Sequence, residues 1–234
     1  MNISNLTLIQ QQLSQQLIIP TYPQGFIPQS KHILFTFDIQ YTEQHAFVAV
    51  DVREFRGKSI GVYVGYTNIA AEYVPQFFSF REGPSLLAMF DYLTNVEGIF
   101  ADFLLVDGHG VAHPRRFGAA SWLGIKTQLP TIGCAKRSLL RYEGQAAVTR
   151  GSIHPIYDRN ECVGNVLRSQ TEVKPIFVSV GNLISLEAAT QAVLSLASPY
   201  RIPEPVRSAD QNARIYAKGE SNPPTIFVGK LPLA

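Results

Sequence analysis

An α/β fold with a mixed central sheet flanked by helices follows from three observations on this 234-residue chain. Three β-rich runs come first, each with partial apolar alternation and joined by short links, the pattern of an antiparallel meander. Helical and strand patterns then alternate. Among the later strands, LLVD at 104–107 is short and apolar up to its last residue, as expected where helices cover both faces of a sheet.

The elements follow in order. Leu6, Ile9, Leu13 and Leu17 recur at three- or four-residue spacing, which predicts an amphipathic helix at the start. The meander is KHILFTFDIQY (31–41), HAFVAVDVREF (45–55) and KSIGVYVGY (58–66), linked through Thr42-Glu43-Gln44 and Arg56-Gly57. GPSLLAMFDYLTNV (83–96) reads as a helix with Leu86, Leu87, Phe90 and Leu93 on one face. After LLVD, FGAASWLGI is helical, PTIGCAK is a strand entering a turn, and CVGNVLRS and KPIFVSV are further strands. SLEAATQAVLSLAS is a helix behind Ser185 as N-cap. Three antiparallel strands followed by helices and short parallel strands is the ribonuclease H-like plan. Residues 1–217 are expected to form a single domain that includes the N-terminal helix. The Pro- and Gly-containing tail, 218–234, is expected to be loosely held.

Composition narrows the function classes. Hydrophobic residues make up 46% of the chain, ample for a buried core. No apolar run approaches the length of a membrane span, so no membrane partner is expected. The first residues lack a basic segment and are broken by glutamines, which predicts a cytoplasmic rather than an exported protein. Two cysteines, Cys134 and Cys162, form neither a disulfide framework nor a zinc motif. The net charge of +2 is small, but Arg115, Arg116, Lys136, Arg137 and Arg141 cluster between positions 115 and 141. A dinucleotide fingerprint, a P-loop and a nucleophile elbow are all missing from the sequence.

The segment LLVDGHGVAHPRRFGAASWLG (104–124) carries the chemistry. Asp107 ends a buried strand, Gly108, Gly110 and Gly118 allow close backbone approach, and His113, Arg115 and Arg116 lie between them. An acid at a strand end beside cations suggests a metal-assisted site for a phosphate-containing ligand. Asp38 lies within the apolar strand FTFDIQY, where a carboxylate is costly unless paired or bound to metal. Glu82, in FSFREGP, opens the next predicted helix. The topology lets these three carboxylates converge. Their mutual repulsion calls for a divalent cation, and oxygen-only ligands favour Mg²⁺, for which Mn²⁺ can substitute. Such a site polarises a phosphoryl oxygen and activates water for in-line attack.

From Asp38 to Arg207 the chain resembles the endonuclease V family, the deoxyinosine-specific endonucleases. The resemblance rests on YVP and FSFREGP (73–84), LLVDGHGVAHPRRFG (104–118), PTIGCAKRSL (130–139), IFVSVGNLISLEAA and YRIPEPVR. It implies a ribonuclease H-like fold, Mg²⁺, and cleavage of one strand of DNA or RNA at the second phosphodiester 3′ to inosine, in repair of deaminated adenine. It makes Asp38, Glu82 and Asp107 the acidic metal site and Lys136 the active-site lysine. It places His113 near the lesion pocket, Tyr73, Val74 and Pro75 in the wedge that enters beside the lesion, and the flipped base against main chain around Gly108, Gly118 and Leu139. Arg115 and Arg116 become candidates for phosphate or for acids inside the fold. A monomer is expected.

The sequence departs from the family at four places, one of them Glu72, where a proline usually precedes the wedge tyrosine. Asn182 stands where a histidine is usual, a position the resemblance puts at the metal site. Trp122 replaces another histidine. Gln76 replaces the glycine after the wedge, and its side chain could reshape the base pocket. Two further readings therefore stay open: a broader structure-specific nuclease acting on mismatches, flaps or single strands, and an inosine-binding protein with weak cleavage.

Overall fold

The computed structural model describes residues 3–233. A nine-stranded sheet forms its centre, in the spatial order β6-β7-β8-β5-β4-β1-β2-β3-β9. The strands are β1 (Ile33–Tyr41), β2 (His45–Glu54), β3 (Ser59–Asn68), β4 (Phe103–Asp107), β5 (Thr131–Ala135), β6 (Ile153–Asp158), β7 (Glu161–Leu167), β8 (Ile176–Asn182) and β9 (Ile226–Lys230). The helices are α1 (Ile3–Ser14), α2 (Phe78–Asn95), α3 (Ala119–Thr127), α4 (Leu186–Leu196) and α5 (Glu204–Ala217).

The predicted meander is present: β1 pairs antiparallel with β2, and β2 with β3. β4 then pairs parallel with β1, and β5 parallel with β4. The run of parallel strands stops there. The chain leaves β5 for the edge hairpin β6–β7 and returns as β8, so β8 lies antiparallel to both β5 and β7. The tail contributes a strand to the sheet. Its β9 lies parallel to β3, and Leu231 is buried beneath the sheet edge.

Sheet faces follow from strand alternation. Phe35, Phe37, Leu104 and Val106 pack with Leu86, Met89 and Leu93 of α2 and with Ala120 and Leu123 of α3. Leu34, Phe103 and Leu105 point the other way, into a core with Ala189 and Val193 of α4 and Val206 of α5. A smaller cluster joins Ala209, Ala213 and Tyr216 of α5 to Ala49 and Val64 of β2 and β3. α2 begins at Phe78, before the predicted start, and runs through Pro84. Glu82 therefore sits beyond the first turn. The Ser185 cap forms as predicted, its Oγ accepting the Ala188 N–H at 3.2 Å.

A buried arginine on β2 reaches the start of α5. Arg53, 4% exposed on β2, donates in bidentate fashion to Asp51 (Nε–Oδ1 2.6 Å, Nη2–Oδ2 2.8 Å), and its Nη1 donates to Glu204, the first residue of α5. Removing one partner of a buried pair strands the other's charge. Arg53→Ala should therefore lower stability by about 3–5 kcal/mol in urea unfolding. A loss within the noise of a surface substitution would mean that water reaches Asp51.

Candidate active site and base cavity

β1 and β4 run parallel with Phe37 opposite Val106, so the next residues, Asp38 and Asp107, stand side by side at the end of the pairing. Asp107 is also opposite Cys134 on β5, and Lys136 follows just past that strand. α5 crosses over β1 and adds Asp210. Oxygens of Asp38, Asp107 and Asp210 lie within 4.8 Å of one another. The Lys136 ammonium donates to Asp107 at 2.6 Å and to Asp210 at 3.1 Å. Arg214, one turn further along α5, grips Asp210 with two hydrogen bonds of 2.9 and 3.0 Å.

The charges respond to this crowding. Burial, then Asp107 and Asp210, push Asp38 up to about 8. Glu82 of α2 is also pushed up to about 8, by burial and then by Asp38 and Asp107. Burial raises Asp107, with Lys136 opposing it. Burial would also raise Asp210, but Arg214 and Lys136 outweigh that and hold it below the ordinary carboxylate value. Oxygen donors, close spacing and excess negative charge fit a hard divalent cation.

Asp210 was not found from the sequence. The signal was available: Pro205 in the first turn, then Val206, Ala209, Ala213 and Tyr216 at helical spacing, place Asp210 on the helix. Asn182, by contrast, is not at the acidic site. It pairs with Thr131 at the start of β5, the end of that strand remote from Lys136. There it is buried, accepting from Ile18 N at 3.0 Å and donating to Gly124 O at 3.1 Å. Trp122 is also structural: it packs against Gly83 so closely that a Cβ there would fall 2.5 Å from the ring.

Beside the acids is a cavity of about 160 Å³ whose lining includes Phe78, Glu82, Asp107, Gly108, His109, His113, Gly118 and Leu139. The structure thus brings together the predicted pocket residues and two of the predicted acids. Gly118 is required by close approach, because a Cβ would lie 2.1 Å from His109 O. Burial, then the nearby Arg115 charge, lowers His113 to about 4, so its ring is neutral at neutral pH. Its Nδ1 accepts the Arg115 N–H at 3.1 Å.

The loop of Tyr73, Val74, Pro75 and Gln76 does not line this cavity but touches its lining through Phe78. Tyr73 is 56% exposed and its ring meets that of Phe78 at 4.9 Å. Gln76 occupies the left-handed region at φ 69°. Arg115 fastens it: Nη1 donates to Gln76 Oε1 at 2.9 Å, Nη2 to Gln76 O at 2.8 Å, and Nε to Gln10 of α1, while the guanidinium lies 4.0 Å from the centre of the Phe77 ring. Gln10, fully buried, donates to Phe117 O at 2.7 Å and to Gln76 O at 3.3 Å. Arg116 is likewise engaged, with Asp158 at 2.9 Å and Glu161 at 3.1 Å across the β6–β7 hairpin. Both arginines are thus engaged with groups of the fold itself.

The family model for endonuclease V matches residues 16–211. The chain belongs to the endonuclease V family. Endonuclease V of Roseiflexus sp. (strain RS-1) is 41% identical over 74% of this chain and 77% of its own length. The crystal structure of Streptomyces avermitilis endonuclease V superposes with a TM-score of 0.84 at 32% identity, covering 93% of this chain and 94% of that one. Ciona intestinalis endonuclease V superposes with a TM-score of 0.78 at 25% identity, over 93% and 98% of the two chains. That crystal structure holds a 24mer DNA containing an inosine followed by a ribo-adenosine. As a member of the endonuclease V family, this chain is a nuclease, a phosphodiester hydrolase, with the ribonuclease H-like fold. No helix among the described residues is long and apolar enough to cross a membrane.

Two measurements test this geometry. In the metal-free protein Asp38 and Glu82 titrate near 8 when folded, against ordinary values of 3.8 and 4.5. Between those limits the folded state binds more protons than the unfolded chain, so stability falls as pH rises through the window. Urea unfolding in EDTA should show less stability at about pH 8 than at about pH 5.5, with Asp38→Asn flattening the trend; stability rising with pH would contradict the crowding. Arg115→Ala leaves Gln10 and Gln76 without their donor. It should cost about 1–3 kcal/mol and speed amide exchange at residues 73–77; unchanged exchange would show that the loop is held by other contacts.

Proposed function

We propose that this protein is a Mg²⁺-dependent endonuclease that nicks nucleic acid at the second phosphodiester 3′ to inosine, in repair of deaminated adenine. The observation that carries this reading is the continuity of the base cavity with the acidic cluster: Glu82 and Asp107 line the same cavity as Gly108, His113, Gly118 and Leu139. A base lodged there leaves its own strand within reach of the carboxylates. The inosine-containing DNA held by the Ciona intestinalis relative supports the substrate assignment.

Asp38 and Asp107 would hold the metal, with Glu82 and Asp210 completing the oxygen donors; Mn²⁺ would serve in place of Mg²⁺. The bound cation supplies Lewis-acid polarisation of the phosphate and lowers the pKa of the attacking water. The rest is done by the chain. Lys136, already held by Asp107 and Asp210, stabilises charge that develops on the scissile phosphate. Tyr73, Val74 and Pro75 fill the gap left in the stack by the departing base, offsetting part of its unstacking. Main chain around Gly108, Gly118 and Leu139 reads the base edge. Hypoxanthine offers O6 as acceptor and N1–H as donor, and a closed cavity excludes guanine's extra amino group. The neutral His113 ring gives the base an uncharged wall. The enzyme acts as a cytoplasmic monomer on DNA or RNA, since both present the same base edge and phosphates.

The deciding experiment is strand cleavage of matched oligonucleotides with and without one inosine, as DNA and as RNA, in Mg²⁺ and in EDTA. Metal-dependent cutting one nucleotide beyond inosine is expected, and Asp107→Ala should abolish it while lesion binding stays measurable. Cutting regardless of inosine would replace this reading with that of a broader nuclease.

A further inference from the structure

The loop between β5 and β6 separates two concavities. Leu139 faces the base cavity. On the other side the same loop, from Lys136 to Glu143, forms one wall of an open groove of about 1050 Å³, whose far wall is β6, Lys174 and Arg201. Lys136, which holds Asp107 and Asp210, stands at the head of this groove.

The groove's charge is unspent. Arg137, Arg141 and Lys174 are exposed and have no carboxylate partner among the described residues, whereas Arg53, Arg116 and Arg214 are all paired. Glu143 is the single acid in the lining. Arg201 serves another purpose. Its guanidinium donates to the carbonyls of Lys136 at 3.1 Å, Lys174 at 2.8 Å and Pro175 at 2.8 Å, tying the two walls together. The groove is therefore braced by backbone contacts while its side-chain cations face solvent. Aromatic surface lies between them: Tyr157 is 59% exposed on the edge strand β6, and Tyr142 packs its ring on Phe177 at 5.8 Å.

We propose that this groove binds the strand running away from the scissile phosphate, as an unpaired single strand. Arg137, Arg141 and Lys174 take its phosphates, and Tyr157 stacks on a base. This rests on the nuclease reading of the acidic cluster, because Lys136 joins the two. Single-stranded rather than duplex nucleic acid is the occupant because a tyrosine face on an edge strand is useful only to a base free of its pairing partner.

The test is binding in EDTA, where nothing is cut, using a fluorescent single-stranded DNA without inosine and the same sequence as a duplex. For Arg137→Ala/Arg141→Ala/Lys174→Ala, the slope of log affinity against log salt should fall by about 2, from three phosphate contacts at about 0.7 each on a single strand. Tyr157→Ala should weaken single-strand binding by about fivefold or more and leave duplex binding unchanged. These are surface positions, and unchanged melting temperatures would verify that the variants fold. An unchanged salt slope in the triple variant would overturn the groove. Equal weakening on single strand and duplex by Tyr157→Ala would overturn the stacking and make this a duplex surface. Cleavage at inosine is scored separately, so a wild-type protein that fails to cut but shows these slopes would lose the enzymatic reading and keep the groove.

Discussion

The mutual repulsion of four carboxylates is the constraint to which the rest of the structure answers. Asp38, Asp107, Asp210 and Glu82 are drawn together by two parallel strands and two helices from opposite faces of the sheet. Burial first, and then the neighbouring carboxylates, pushes Asp38 and Glu82 up. The fold supplies fixed cations asymmetrically. Lys136 and Arg214 serve Asp107 and Asp210, so that side of the cluster is nearly neutralised. Asp38 receives only a 3.3 Å hydrogen bond from Gln40. Asp38 and Glu82 are thus the members of the cluster without a salt bridge among the described residues, and both are pushed up to about 8.

The same asymmetry gives the Arg53 network its importance. α5 carries Asp210, and its first residue, Glu204, is held by Arg53 from β2. Ala209 and Ala213 allow the helix to lie close on the sheet, with Ala49 and Val64 beneath. Small residues set its height and the ion pair sets its origin. Together they bring Asp210 down beside Asp38 rather than leaving it in solvent.

Much of this was legible in the sequence, for identifiable reasons. The meander, the strand ending in Asp107 and the Ser185 cap are local patterns, and local patterns formed as read. The misses arise where a local rule was overridden. Pro155 conceals β6, which tolerates it as an edge strand. Pro84 made the start of α2 look later than it is. Asp210 lies on a helix that the sequence reading had not assigned. Asn182 was placed at the metal site by the resemblance alone; with β8 antiparallel to β5 it lies opposite Thr131, at the other end of β5 from Lys136. The tail's β9 is short and mostly exposed, so its apolar pattern alone did not distinguish it from a loop.

The departure at Gln76 follows a different logic. At φ 69° the backbone there favours glycine, and a side chain at that position is strained unless something compensates. Here the compensation is visible: the glutamine's side chain and carbonyl both receive hydrogen bonds from Arg115, which in turn is held by Gln10. The residue that a glycine-based rule would count as a defect is therefore the outer end of a polar chain running from α1 to the loop of Tyr73, Val74 and Pro75. Three of the five N–H donors of Arg115 and one face of its guanidinium are engaged in this chain. On the other side of Leu139, Arg137, Arg141 and Lys174 are exposed and have no carboxylate partner among the described residues. Under the proposed reading, holding the loop of Tyr73, Val74 and Pro75 and attracting a strand would thus fall to different cations.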